Sequence, residues 1–146
     1  MTTEAMTALA IETLHRERCS CVIVGADGRT TLCHQRGVAD LYRLLTGTPE
    51  LLKGSVIADK VVGKGAAALM ALGGIVAVYA DVMSRPALEL LRNAAVPATF
   101  GTLADNIINR AGTDICPVEK LCRDADTPEQ CLPRITEFLN KIKLKS

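Results

Sequence analysis

A lysine set between two glycines, just ahead of an alanine run, is the stretch of this chain best suited to chemistry: Asp59-Lys60-Val61-Val62-Gly63-Lys64-Gly65-Ala66-Ala67-Ala68. Glycine lets a backbone come close to a ligand, and alanine favours a helix. The first N–H groups of a helix are unpaired and hold anions. A cationic side chain there opposes the helix dipole, so Lys64 points to a specific role: binding an anion together with the Gly63 and Gly65 backbone. The plain alternative is a solvated lysine in a first helical turn. The stretch also fits the dinucleotide pattern G-x-G-x-x-A, with Asp81 where a ribose-binding acid would stand. Against that, Asp59-Lys60 puts charge where a buried strand should be apolar, and Gly65 to Leu72 is a short helix for the motif.

Three other places carry chemistry-bearing residues. Ser84 reads as a helix N-cap and adds a second helix start that would face the same crevice as Lys64. Asn109-Arg110 sits in a polar loop, where the pair could clamp a carboxylate or phosphate; the alternative is Arg110 pairing with Asp114. Cys116 precedes Pro117 at a helix start, which can lower a thiol's pKa and make it a nucleophile. Glu119, three residues on, completes a capping-box spacing. A small buried side chain is the plain reading of Cys116. Cys116, Cys122 and Cys131 lack the C-x-x-C spacing of a metal or cluster site. His15 and His34 stand alone, and Cys19, Cys21 and Cys33 read as packing on paired strands. No metal is expected.

These residues need elements to hold them. Residues 3 to 17 place Met6, Leu9, Ala10, Thr13 and Leu14 on one face of an amphipathic helix. Cys19 to Gly25 and Thr30 to Arg36 read as strands of a hairpin turning at Asp27-Gly28 and ended by Gly37. Asp40 to Leu45 is a short helical piece, broken at Thr46-Gly47-Thr48-Pro49 and followed by a turn over Glu50 to Lys53. Val56 to Val62 reads either as a strand or as the lead into the next helix, with Asp59 as N-cap of a helix to Leu72 and Gly73-Gly74 as its stop. Ile75 to Ala80 is apolar throughout and reads as a strand at or near the sheet centre. Ser84 and Pro86 open a helix over Ala87 to Ala95, and Ala98 to Thr102 is a strand. Helix, strand, helix, strand over 59 to 102 implies parallel strands with right-handed crossovers. Leu103 to Ile108 reads as a short helix, 109 to 114 as a loop, and Val118 to Arg123 as a helix. The last helix follows Asp126-Thr127-Pro128 and carries Cys131, Leu132, Ile135, Phe138, Leu139 and Ile142.

With 146 residues, 49% hydrophobic and 23% charged, the chain has the size and core of one α/β domain spanning 1–146, with helices on both faces of about five strands. A net charge of +1 and 3% aromatics argue against a nucleic-acid partner. The longest apolar run, Ala66 to Ala80, is broken by Gly73-Gly74 and falls short of the ~20 residues of a membrane span. Met1 to Arg18 carries Glu4 and Glu12 and does not read as a signal peptide. The expectation is a cytoplasmic protein whose six cysteines are reduced.

Asp59-Lys60-Val61-Val62-Gly63-Lys64 with its alanines, Val78-Tyr79-Ala80, Ser84, Asn109-Arg110 and Cys116-Pro117-Val118-Glu119 together resemble an uncharacterised prokaryotic family of cytidine-deaminase-like fold that lacks the zinc signature. The element order, helix then antiparallel hairpin then alternating helices and strands, is similar to that fold. In zinc deaminases a His or Cys, a Glu and a Pro-Cys-x-x-Cys lie at two successive helix starts. By the resemblance Gly63 and Gly65 stand at the first and Ser84 and Ala87 at the second, so it implies no zinc, no other cofactor and no zinc-dependent deamination. Three functions follow: binding of a small anionic ligand, such as a nucleotide, by Gly63, Lys64, Gly65, Ser84, Asn109 and Arg110; an enzyme using Lys64 or Cys116 covalently or in redox chemistry; or a homo-oligomeric interaction protein without a ligand.

Overall fold

The computed structural model describes residues 1–35, 38–109 and 111–145, without the side chains of Leu144 and Lys145. Arg36, the expected end of the returning strand, Gly37 and Arg110 lie outside the described residues. In chain order the elements are α1 (Thr3–Arg16), β1 (Cys21–Val24), β2 (Thr30–Cys33), α2 (Ala39–Gly47), a 3-10 turn (Pro49–Leu51), β3 (Val56–Val62), α3 (Lys64–Gly73), β4 (Ala77–Ser84), α4 (Arg85–Asn93), β5 (Ala98–Ala104), α5 (Pro117–Leu121) and α6 (Pro128–Lys145).

The strands form one mixed sheet in the order β2-β1-β3-β4-β5. β1 is antiparallel to both β2 and β3, while β3, β4 and β5 are parallel. The hairpin therefore sits at one edge, with its returning strand outermost and its first strand against β3; the sheet does not follow chain order from the hairpin. Each parallel step is made through a helix, α3 between β3 and β4 and α4 between β4 and β5, as parallel pairing requires.

The ambiguous segment Val56–Val62 is a strand, and it is the middle one. Asp59 is not an N-cap: it stands mid-strand between Cys21 of β1 and Ala80 of β4. Val56, Ile57 and Val62 are fully buried β-branched residues that suit a covered pleat, and ladders on both sides outweigh the polar Asp59-Lys60 pair. Gly63 takes the N-cap position, and the helix begins at Lys64. The apolar run from Ile75 is displaced likewise. Val76 is exposed and β4 starts at Ala77, but the strand lies beside the central one, near the sheet centre as expected. No helix covers 103 to 108: β5 continues to Ala104, and Ile108 bridges to Ile115. The helix expected over Val118 to Arg123 is the five-residue α5.

The two faces are filled differently. Met6, Ala10 and Leu14 of α1 cover Val22, Val24, Val56, Ala58 and Ala77. The opposite face carries Ile23, Ile57, Val78, Ala80 and Met83, buried under α2, α3, α4, α5 and α6. α3 is buried along most of its length, from Gly65 to Met70 and again at Gly73, because it contacts α2, α4, α5 and α6 as well as β3. Small residues make that crowding possible. A Cβ on Gly65 would lie 2.3 Å from Val118 Cγ1, and one on Gly73 2.9 Å from Leu52 Cδ1. α3 ends on Gly74, whose φ of 77° is the left-handed turn that glycine favours. Among the described residues no helix is long and apolar enough to cross a membrane.

This crowding is testable at Gly65. Alanine there gains about 1 kcal/mol of helix propensity, but its methyl meets a stiff β-branched side chain, and overpacking costs roughly 1–3 kcal/mol. Gly65→Ala should lower the unfolding free energy in urea by about 1 kcal/mol or more. Gly47→Ala, whose Cβ meets nothing within 4 Å, should not. Stabilisation by Gly65→Ala would contradict the close contact of α3 with α5.

Candidate ligand crevice

β3 and β4 are parallel, so the helices that follow them start on the same edge of the sheet. Gly63 begins α3 there and Ser84 begins α4. Ser84 ends its strand with extended backbone, and its Oγ accepts a hydrogen bond from the Ala87 N–H at 3.1 Å. The chain then returns from β5 through 105 to 116 and lowers α5 onto this edge. Glu119 of α5 is 4% exposed. Its Oε1 accepts from the Ser84 hydroxyl at 2.7 Å and from the Lys64 N–H at 3.4 Å, and its Oε2 accepts from the Ile107 N–H at 2.9 Å. The two helix starts thus share an anion, and the protein itself provides it. Gly63 is glycine at a contact that demands it: a Cβ there would stand 2.8 Å from Glu119 Oε2.

Lys64 contributes its backbone, not its charge, to this edge. Its Nζ donates to the Arg123 carbonyl at 3.2 Å, just past the C-terminal end of α5, where a cation is favourable. Asn109 locks its own loop: Oδ1 accepts from the Thr113 N–H at 3.1 Å and Nδ2 donates to Thr113 Oγ1 at 3.3 Å. Asp114 pairs with Lys120. Cys116 is half-buried at the start of α5, and its N–H donates to the Ile107 carbonyl at 2.7 Å.

Beside the Glu119 clamp lies a crevice of about 650 Å³. Gly63, Gly65, Asn109 and Cys116 line it, whereas Lys64 and Ser84 do not. Its floor is a row across three strands, Cys33 of β2, Cys21 of β1 and Asp59 of β3, in register and on one face. Asp40, Lys60 and Gln35 stand around it, and Val118 and Phe138 contribute apolar wall. Asp40 is tied down: it accepts from the Gln35 N–H at 3.2 Å and pairs with Arg43 at 3.3 Å. Asp59 Oδ1 accepts a hydrogen bond from the Val61 N–H at 3.3 Å, and among the described residues no ion pair with Asp59 forms. Burial pushes its carboxyl up to about 7, against the pull of the Val61 and Lys60 N–H groups. In the adjoining thiol pair the two groups are pushed apart in pKa. The hydrogen bond between them, reinforced by burial, raises Cys21, and the same bond lowers Cys33. Among the described residues no three His, Cys, Asp or Glu side chains gather to hold a metal ion.

A family model described as TM1506, domain of unknown function (DUF1893), matches residues 9–139. The chain belongs to the DUF1893 family. A solved structure of a DUF1893 family protein (TM1506) from Thermotoga maritima is similar to it, with a TM-score of 0.84 and 23% sequence identity over 94% of this chain and 92% of that one. At that identity the likeness speaks for the fold. No curated protein matches the chain.

Sequence reasoning reaches Gly63, Gly65, Asn109 and Cys116 of the crevice but not the role of its floor. Asp59 was masked by its suitability as a cap; reading Val56-Ile57-Ala58-Asp59 as pleat would have turned it inward. Pairing the hairpin about Asp27 sets Cys21 opposite Cys33, which was the available signal for the thiol pair. Glu119 was marked only by its spacing from Cys116.

The buried carboxyl sets a pH dependence. Asp59 binds its proton more tightly folded than unfolded, so its contribution favours the fold below about pH 4 and is lost as pH rises through about 7. The interval from 3.8 to about 7, at ~1.4 kcal/mol per pH unit, sets a ceiling of roughly 4 kcal/mol. Asp59→Asn should therefore stabilise the protein relative to wild type at pH 8 and lose that advantage at pH 4, measured by urea unfolding at both. An equal effect at both pH values would contradict the placement of Asp59.

Proposed function

We propose that this DUF1893 chain is a small-molecule-binding domain of cytidine-deaminase-like fold that works without zinc, and that its ligand presents N–H donors to Asp59. The observation that carries the reading is a buried carboxyl, making no ion pair among the described residues, on the floor of a 650 Å³ crevice. Support for the deaminase-like assignment comes from the order of elements: a helix, an antiparallel hairpin, then helices alternating with parallel strands. Gly63, Gly65, Ser84 and Ala87, at the two helix starts, offer none of the thiolate or imidazole ligands that a deaminase zinc needs.

The ligand differs from the anion expected of Lys64. Glu119 already accepts from the Lys64 N–H at the start of α3 and from the Ser84 hydroxyl that caps α4, and the Lys64 ammonium is on a carbonyl at the end of α5. The crevice is lined by Asp40, Asp59 and Glu119 against Lys60. Carboxyl groups read amino and imino N–H donors, so a neutral base or nucleoside suits this lining better than a phosphate. A protonated Asp59 can donate one hydrogen bond and accept another, which matches the paired edge of a nucleobase.

Calorimetric titration with nucleobases, nucleosides and inorganic phosphate tests the reading. At least one base or nucleoside should bind, Asp59→Asn should weaken it about tenfold, as expected for a hydrogen bond worth ~1.5 kcal/mol, and Lys64→Ala should leave it unchanged. Phosphate binding that is lost in Lys64→Ala, with no base or nucleoside bound, would overturn the reading and restore the anion site.

A further inference from the structure

The floor of the crevice holds a second kind of chemistry, independent of what the crevice binds. Cys21 and Cys33 are directly opposed on antiparallel strands. Opposed residues in such a pair have Cα atoms about 4.5–5.5 Å apart, inside the ~4.4–6.8 Å that a disulfide spans. Both side chains emerge on the same face, both line the crevice, and both are free thiols. Asp59 is opposed to Cys21 on its other side, so a carboxyl stands next to the thiol pair in the same row. Cys122 and Cys131, the other neighbouring thiols, are 0% exposed and line no part of the crevice. The crevice gives a small oxidant a route to Cys21 and Cys33 alone among the paired thiols.

We propose that Cys21 and Cys33 are a dithiol site oxidised by a hydroperoxide, with Cys33 attacking first, Cys21 resolving, and Asp59 taking the proton of Cys21. In the first step the Cys33 thiolate attacks one peroxide oxygen. The O–O bond breaks, a sulfenic acid forms on Cys33, and the departing hydroxide takes up the thiol's proton as water. In the second step the Cys21 sulfur attacks the Cys33 sulfur while its proton passes to Asp59. The S–O bond breaks, and hydroxide leaves and recovers that proton as a second water. Two thiols and one hydrogen peroxide become one disulfide and two waters; the sulfurs lose two electrons and the peroxide gains them. Cys33 is the suitable attacker because its contact with the Cys21 thiol lowers it, outweighing burial and the Asp40 and Asp59 charges. The disulfide staples the edge strand β2 to β1 and withdraws the thiol donor beside Asp59.

The full chain, reduced and then exposed to hydrogen peroxide, is quenched with N-ethylmaleimide and mapped by mass spectrometry without reduction. A peptide linking Cys21 to Cys33, lighter by two hydrogens, is expected, with Cys122 and Cys131 not linked to each other. Cys21→Ser should stop the reaction at a Cys33 sulfenic acid trapped by dimedone; Cys21→Ala serves the same purpose if the serine variant fails to fold. Asp59→Asn should slow disulfide closure about tenfold or more while leaving dimedone trapping in the Cys21 variant unchanged. A folded protein in which Cys21 and Cys33 stay alkylated after peroxide, or in which only Cys122 and Cys131 are linked, would overturn the site. An unchanged closure rate in Asp59→Asn would overturn the role of the carboxyl.

Discussion

A buried carboxylate holding two helix starts together is the constraint on which this architecture turns. Glu119 is removed from water, and a charge so placed persists only when hydrogen bonds replace the solvent. Here they come from the Ser84 hydroxyl and the Lys64 and Ile107 N–H groups, in three separate parts of the chain. The positive ends of α3 and α4 add a favourable field. The result ties the C-terminal third to the parallel strands at one point, and the loop after β5 and the helix α5 take their positions from it.

The geometry around that point follows. α5 can reach the helix starts only because Gly63 and Gly65 leave room for Glu119 and Val118. With α5 seated, Val118 and Pro117 form a wall over the sheet edge, and the space beneath becomes a crevice and not open solvent. The central strand presents Asp59 to that space, with Cys21 and Cys33 beside it. Enclosure by α5 and α6 on one side and the sheet on the other lowers the local dielectric. That is why the Asp59 carboxyl holds its proton to about 7. The clamp therefore has a chemical consequence: one carboxyl group held by three donors creates the surroundings in which another holds its proton more tightly.

Local signals made much of the scaffold legible. The apolar spacing of Met6, Ala10 and Leu14 gave α1, Asp27-Gly28 gave the hairpin, Ser84 with Pro86 gave α4, and Ile135 with its neighbours gave α6. Each depends on residues within a turn or two of one another. The residues that shape the crevice depend on partners far away. Ser84 meets Glu119 across 35 positions, and Lys64 meets the Arg123 carbonyl across 59. Asp59 reads as a cap for a physical reason: a polar side chain in a sequence window looks solvated until the strands that cover it are known. β3 shows this most plainly, since Asp59-Lys60 suggested a surface cap, whereas ladders to β1 and β4 on either side make it the middle of the sheet.

The coupling between Ser84 and Glu119 measures the clamp directly. Urea unfolding of wild type, Ser84→Ala, Glu119→Gln and the double variant yields an interaction energy free of the Ser84 cap on Ala87, which appears equally in both arms of the cycle. A hydrogen bond to a buried carboxylate predicts about 1.5–3 kcal/mol. Additive effects, with coupling below roughly 0.5 kcal/mol, would contradict the account, because Glu119 would then not be what holds the two helix starts together.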